Sequence, residues 1–138
     1  MVHALTEAWR VLKPDGLLID LRPIRSNQEI SLTTDGNSQH IAYYTDAYRH
    51  QNDLSANDAI ETVLSENLFA YQSQADFPFI RHFDTAQEFR DYCANRYPPL
   101  TISDDIFDQL APADTNPEIQ VTFATKNSLK CYQRLNPT

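Results

Sequence analysis

Two groups of polar residues have the types and the spacing that chemistry could use. In the first group, Asp20 and Arg22 follow an apolar run at residues 17–19, which predicts a central β-strand that ends before them. Ligands of open α/β sheets bind beyond the carboxyl ends of strands, so this pair could hold a polar substrate. The structural alternative is that Asp20 caps the following loop or pairs with Arg22.

The second group is Arg81, His82 and Asp84. A histidine near a carboxylate can act as a general base if both side chains face a cleft. The alternation of residues 79–84 favours instead a strand with a polar outer side, which gives His82 a structural role. Asp20, Arg22 and His82 are therefore the candidate catalytic residues, and the pattern assigns no reaction to them.

The low glycine content excludes a self-contained nucleotide site of either standard type. Gly16 and Gly36 are the only glycines, and they lie twenty residues apart. A GxGxxG loop or a P-loop needs several glycines close together, because the backbone must approach phosphate groups. Gly16 follows Pro14-Asp15 and is expected to take a positive φ in a tight turn.

The histidines and cysteines indicate neither a metal site nor a disulfide. His3, His40 and His50 lack the close spacing to Cys, Asp or Glu that zinc ligands show, so we expect no metal. Cys93 and Cys131 form no CxxC pair. We expect two free thiols that pack as small apolar side chains.

Charge and composition restrict the class of partner. The net charge of −8 and the pI near 4.7 oppose binding to nucleic-acid phosphates and to anionic lipid. The apolar runs are too short for a membrane span or a signal-peptide core. With 41% hydrophobic and 22% charged residues, the sequence predicts one cytoplasmic globular domain over residues 1–138.

Periodicity predicts an α+β fold with about four helices and a small mixed, largely antiparallel sheet. The predicted helices are a short one carrying Leu5, Ala8, Trp9 and Leu12, one over residues 53–67, one over residues 86–96 that begins with a capping box of Thr85 and Glu88, and a short one after Ser103.

The remaining elements are predicted from alternation and turn residues. They are a strand at residues 17–19, a hairpin over residues 29–44 that turns at Asp35-Gly36, two strands at residues 68–74 and 77–83 around Ala75-Asp76, a loop at residues 111–117, and a hairpin over residues 119–135 that turns near Lys126-Asn127.

The stretch EAWRVLKPDGLLIDLRP, residues 7–23, resembles the class I S-adenosylmethionine-dependent methyltransferases. The similarity lies in the helix and the strand that follow the cofactor-binding half of that fold. The usual form there is a helix ending in R-V-L-K-P-G-G, followed by an apolar strand. Asp15 replaces the first glycine of that form, and aspartate also tolerates turn conformations.

The resemblance is strong over about twenty residues and implies a fold like the C-terminal half of a Rossmann-like methyltransferase. It equates residues 17–20 with the fifth strand and residues 119–135 with the terminal hairpin. The family's cofactor-binding positions have no counterparts here, so we expect no cofactor-binding residue and no cofactor in the isolated chain. Residues 95–99 contain the letters of the N-P-P-Y signature of amino-methyltransferases, but in the wrong order. Asn136-Pro137 is not assigned to that signature either.

These observations lead to a first hypothesis, a methyltransferase-like domain that does not bind the cofactor alone and is not an autonomous enzyme. An apolar strand is stable with both sheet faces covered, and an uncovered one invites pairing with another chain. We therefore expect a homo-oligomer or a protein partner that covers the sheet edge near Leu17 and Ile19.

A second hypothesis makes the chain the substrate-side portion of a split or mis-started methyltransferase. Met1 stands at the start of a predicted helix without a preceding cap, as an internal methionine would. A third hypothesis, an independent enzyme that uses Asp20, Arg22 or His82, has the weakest support. The sequence identifies neither a substrate nor a biological process.

Overall fold

The computed structural model describes residues 1–136, which fold into helices and one four-stranded sheet. The predicted α+β class is confirmed. The helices are α1 (Val2–Val11), α2 (Ala47–Ser65), α3 (Ala86–Ala94), α4 (Asp104–Leu110) and α5 (Pro112–Thr115), and the strands are β1 (Leu17–Thr34), β2 (Asn37–Tyr44), β3 (Phe69–Phe83) and β4 (Gln120–Arg134).

The strands lie in the order β2-β1-β4-β3. The hairpin of β1 and β2 is confirmed, with Thr34 opposite Asn37 in an antiparallel register. Asp35 and Gly36 have φ values of 49° and 79°, the positive values that a two-residue hairpin turn needs.

Strand β4 runs antiparallel to both of its neighbours. The N–H of Arg134 donates to the carbonyl of Gly16 at 2.8 Å, and the N–H of Leu135 donates to that of Leu68 at 2.9 Å. The end of β4 therefore lies beside the starts of β1 and β3. Since both strands oppose β4, β1 and β3 point in the same direction on either side of it, and the chain passes from one to the other through β2 and α2.

Two predicted turns are wrong. Residues 75–76 and residues 126–127 lie within the continuous strands β3 and β4. None of these four residues has the positive φ that a tight hairpin turn requires. The last two strands of the described chain are therefore β3 and β4, and residues 119–135 form no hairpin.

The helices differ from prediction mainly at their ends. Helix α2 begins at Ala47 rather than at residue 53, and the short helix α5 replaces part of the loop predicted at residues 111–117. The cap of α3 is confirmed, since the Thr85 hydroxyl accepts a hydrogen bond from the Glu88 N–H at 3.0 Å.

In the turn between α1 and β1, Asp15 and Gly16 have different roles from those predicted. Asp15, not Gly16, has the positive φ, at 62°. Gly16 is needed for space, because a Cβ at this position would lie 2.8 Å from the carbonyl oxygen of Lys13. This oxygen also accepts the Gly16 N–H at 2.8 Å.

The chain forms two compact units. The first comprises residues 1–24, 48–77 and, within the described chain, 127–136. Its core contains Ile60 and Val63 of α2, Phe69 of β3 and Tyr132 of β4. The apolar side of α1 packs against this cluster, as its periodicity predicted; the α1 side chains involved are Val2, Leu5 and Trp9.

The second unit comprises residues 25–47 and 78–126. Its core is aromatic at the centre: the ring of Phe89 is fully buried and lies 5.2 to 5.8 Å from the rings of Phe83, Phe107 and Phe123. Offset or tilted aromatic pairs at this separation are favourable beyond their buried area.

Candidate functional site

Asp20 and Arg22 lie inside strand β1, so the prediction that the strand ends before them is wrong. Successive side chains of a strand point to opposite faces. Leu17, Ile19 and Leu21 are exposed, whereas Asp20 and Arg22 lie on the other face, towards α2. The strand can continue through these residues because their polar groups form hydrogen bonds on that face.

The guanidinium of Arg22 joins β1 to α2. It donates to both carboxylate oxygens of Asp20, from Nε at 2.8 and 3.0 Å and from the second terminal nitrogen at 2.8 Å. It also donates to the Asp53 carbonyl at 3.0 Å and to Asn57 Oδ1 at 2.7 Å. Asp53 and Asn57 are four residues apart and share one face of α2. Asp20 therefore pairs with Arg22, which was the structural alternative to a substrate-binding role.

A cavity of about 170 Å³ adjoins this pair within the first unit. Strands β1, β3 and β4 and helix α2 all contribute to its wall. The residues that line it are Asp20, Arg22, Pro23, Ile24, His50, Asp53, Asn57, Gln74, Ser128 and Lys130.

Ser128 Oγ and His50 Nδ1 are polar atoms of this wall that have no hydrogen-bond partner within residues 1–136. Ser128 is 7% exposed. A buried hydroxyl without a partner is costly, and ligand binding is one way of satisfying it. Neither residue could be assigned to a site from the sequence, because they come from distant parts of the chain and no local motif marks them.

None of the family models, curated proteins or solved structures compared with the chain matches it.

The third candidate residue, His82, is exposed on β3 in the second unit and does not line this cavity. Its neighbours are engaged elsewhere. Arg81 lies 5.1 Å from the ring centroid of Phe79 and 5.3 Å from that of Tyr92. Asp84 Oδ1 accepts a hydrogen bond from the Gln120 amide at 2.8 Å. The three residues therefore do not converge on a cleft.

The first part of β1 presents an uncovered surface. Leu17, Ile19 and Leu21 are 53%, 61% and 56% exposed. The described pairing of β2 with β1 starts at Gln28, so the β1 backbone before it has β4 as its one strand neighbour within residues 1–136. We call residues 17–22 the open β1 segment.

Pro23 fixes the end of the open β1 segment. Proline has no N–H to donate, and within sheets it occurs mainly where a strand lacks a partner on one side. Its position in β1 agrees with an edge that is open up to residue 22. A further strand could therefore pair with six residues of β1, and pairing would stop at Pro23.

The remaining chemistry-bearing groups are structural where the chain is described. Cys93 and Cys131 are free thiols, as expected. Cys93 is 2% exposed, and burial raises its pKa to about 12, which keeps it a thiol near neutral pH. No group of three or more His, Cys, Asp or Glu residues within residues 1–136 could hold a metal ion. Pro137 of the Asn136-Pro137 pair lies outside the described residues.

None of the helices within residues 1–136 has both the length and the apolar character needed to cross a membrane.

Proposed function

We propose that this chain is a cytoplasmic methyltransferase-like module that lacks a cofactor site of its own and works by docking onto a protein partner. The open β1 segment is the observation that carries the proposal. It combines an apolar side-chain row with an unpaired backbone edge, and both features are stabilised by a partner that adds a strand.

The position of the helices leaves the side of the first unit that carries Leu17 and Ile19 available to a partner. Side chains of α1 and α2 pack into the core of the first unit, on the side opposite these two residues. Strand β4 is antiparallel to both β1 and β3, and an antiparallel sheet can have one face covered by helices and the other exposed. The exposed row on β1 lies on the uncovered face, where a partner can pack.

The turn before β1 supports the family resemblance. The usual family sequence has glycine where this chain has Asp15, and Asp15 takes a positive φ of 62°. Glycine adopts that conformation most readily and aspartate tolerates it. The substitution therefore preserves the turn that leads from the helix into the apolar strand.

The two glycines support the absence of a cofactor loop within residues 1–136. Gly16 packs against Lys13 in the turn after α1, and Gly36 lies at the tip of the β1–β2 hairpin. Neither lies between a strand and the N-terminus of a helix, where dinucleotide-type loops bind phosphate.

A distinct partner is favoured over a second copy of this chain. With a net charge of −8 per chain, self-association brings like charges together, whereas a neutral or basic partner does not meet this repulsion. The expected occupant is a polypeptide that adds a strand to residues 17–22 and packs apolar side chains against Leu17, Ile19 and Leu21.

Calorimetry with S-adenosylmethionine and light scattering after size-exclusion chromatography test the proposal on the chain alone. We expect a monomer and no saturable heat. Saturable binding of S-adenosylmethionine would contradict the absence of a cofactor site, and a stable dimer disrupted by Ile19→Glu but not by Tyr97→Glu would identify a second copy as the occupant.

A second candidate function, the substrate-side portion of an active methyltransferase, is favoured by the open β1 segment. The resemblance equates residues 17–20 with the fifth strand of the methyltransferase sheet, and the open edge leaves a position where a strand of a separate cofactor-binding half could pair. Co-expression with the product of the reading frame immediately upstream tests it. A co-purifying complex that binds S-adenosylmethionine supports this function, and an unrelated product that does not associate opposes it.

A further inference from the structure

The cavity beside α2 holds polar atoms that the described protein leaves unsatisfied. Ser128 Oγ and His50 Nδ1 have no hydrogen-bond partner within residues 1–136, although Ser128 is more than nine-tenths buried. Both atoms belong to residues that line the same cavity, with Lys130 in the same wall. Buried polar groups of native proteins are normally paired, so unsatisfied polar atoms at one cavity point to a bound group.

We propose that this cavity binds a small monocarboxylate that carries a hydroxyl or amino group beside its carboxylate. This ligand site goes beyond the docking function, because the cavity is lined by α2 and lies on the side of β1 away from Leu17 and Ile19. The two proposals can therefore fail independently.

The hydrogen-bond donors of the wall suit an anion. The Asp20 carboxylate is neutralised by three contacts of 2.8 to 3.0 Å from Arg22. The ammonium of Lys130 and the hydroxyl of Ser128 are donors, and they suit a carboxylate, which accepts several hydrogen bonds on its two oxygens. His50 Nδ1 can donate to the same group in one tautomer or when protonated.

The Asp53 carboxylate sets the second requirement of the ligand. It lies in the same wall, and a carboxylate can accept several hydrogen bonds on its two oxygens. A hydroxyl or ammonium on the ligand can therefore donate to Asp53. The wall thus favours a molecule with one negative group and one adjacent donor.

The cavity volume limits the size of the ligand. It measures about 170 Å³, and an engineered cavity of roughly 150 Å³ holds a benzene molecule. The ligand therefore has on the order of six non-hydrogen atoms. Glycolate, lactate and glycine meet both the size limit and the polar requirements.

Titration of the isolated full chain with glycolate, lactate and glycine, followed by ¹H–¹⁵N NMR spectra, tests the proposal. We expect saturable shifts centred on His50, Ser128 and Lys130, with a Kd on the order of 1 mM for at least one probe. Propionate has the carboxylate without the second group, and it should bind at least about tenfold more weakly.

Variants separate a binding role from a structural one. Ser128→Ala should weaken binding about tenfold while the urea midpoint stays equal or rises, because the variant removes a hydroxyl without a partner. Lys130→Met should abolish saturable shifts, whereas Lys13→Met, an equal charge change at an exposed position, should not. Absence of saturable shifts with all three probes, shifts centred elsewhere, or unchanged binding by both cavity variants would overturn the proposal.

Discussion

Arg22 holds the carboxylate of Asp20 with two of its three guanidinium nitrogens and uses the remaining contacts to reach α2. Both side chains are mostly buried, at 23% and 16% exposure. A buried carboxylate that loses its partner costs about 3–5 kcal/mol, more than the pair itself contributes. The pair thus fixes α2 against β1 and leaves Asp20 little freedom for chemistry.

Arg22→Lys should lower the free energy of unfolding by about 1–3 kcal/mol although it keeps the charge, because an ammonium cannot form the paired contacts of the guanidinium. Urea unfolding measures this difference. Arg22→Met combined with Asp20→Leu should be more stable than Arg22→Met alone, since it leaves no unpaired carboxylate. Equal stability of Arg22→Lys and the wild type would contradict a stabilising role for the paired guanidinium contacts of Arg22.

Replacements of Asp15 should differ in their effect on stability, because this residue has a positive φ of 62°. Asp15→Ala should lower the free energy of unfolding by about 1 kcal/mol, and Asp15→Gly should have a smaller or opposite effect, because glycine adopts this conformation without strain. Denaturant midpoints measure both variants. If Asp15→Ala were as stable as Asp15→Gly, the turn would not have the described conformation.

Burial of Cys93 should make the protein less stable at alkaline pH. Its pKa rises from 9.0 to about 12, so between these values the unfolded chain releases a proton that the folded chain keeps. The free energy of unfolding therefore falls as pH rises through this window. The pKa of Tyr132 is also raised, mainly by burial and then by Asp20, and it adds to the same trend.

Urea unfolding at several pH values from about 8 to about 11 measures this slope. Cys93→Ala should show a shallower decline than the wild type, with a residual slope from Tyr132. Cys131→Ala provides the matched control, since Cys131 is less buried and its replacement should leave the slope unchanged. Parallel slopes for the wild type and Cys93→Ala would contradict a buried thiol.

The exposed apolar row of β1 should bind a neutral hydrophobic dye such as Nile red. Ile19→Thr should reduce the dye fluorescence, and it should change the free energy of unfolding by no more than about 0.5 kcal/mol because the side chain is 61% exposed. Tyr97→Ser, at a position that is 97% exposed, is the control and should keep the fluorescence. Dye binding that is insensitive to Ile19→Thr would show that the row is already covered.

Local sequence patterns were sufficient to identify four of the helices described within residues 1–136, though not all of their ends, and one hairpin. The apolar period of α2 placed Ile60 and Val63 in a core, and Asp35-Gly36 gave the turn between β1 and β2. These features depend on residues that are near each other in sequence, so periodicity and turn chemistry describe them.

The lengths of the strands and the composition of the cavity could not be predicted in this way. Asp20 and Arg22 look like the end of a strand, but Arg22 pairs with Asp20 and bonds to α2, so both polar side chains are satisfied while β1 continues through them. Ser128 and His50 meet at one cavity through tertiary packing, which leaves no trace in sequence spacing.

Photo-crosslinking in cells that produce the protein tests the docking surface most directly. A benzoylphenylalanine at position 19 should give one discrete adduct, and the same residue at position 97 should give none. We expect mass spectrometry of the adduct to identify a different polypeptide that carries a glycine-rich strand–loop–helix segment. An identical pattern from both positions, no adduct from position 19, or an adduct with a second copy of this chain would contradict the proposal.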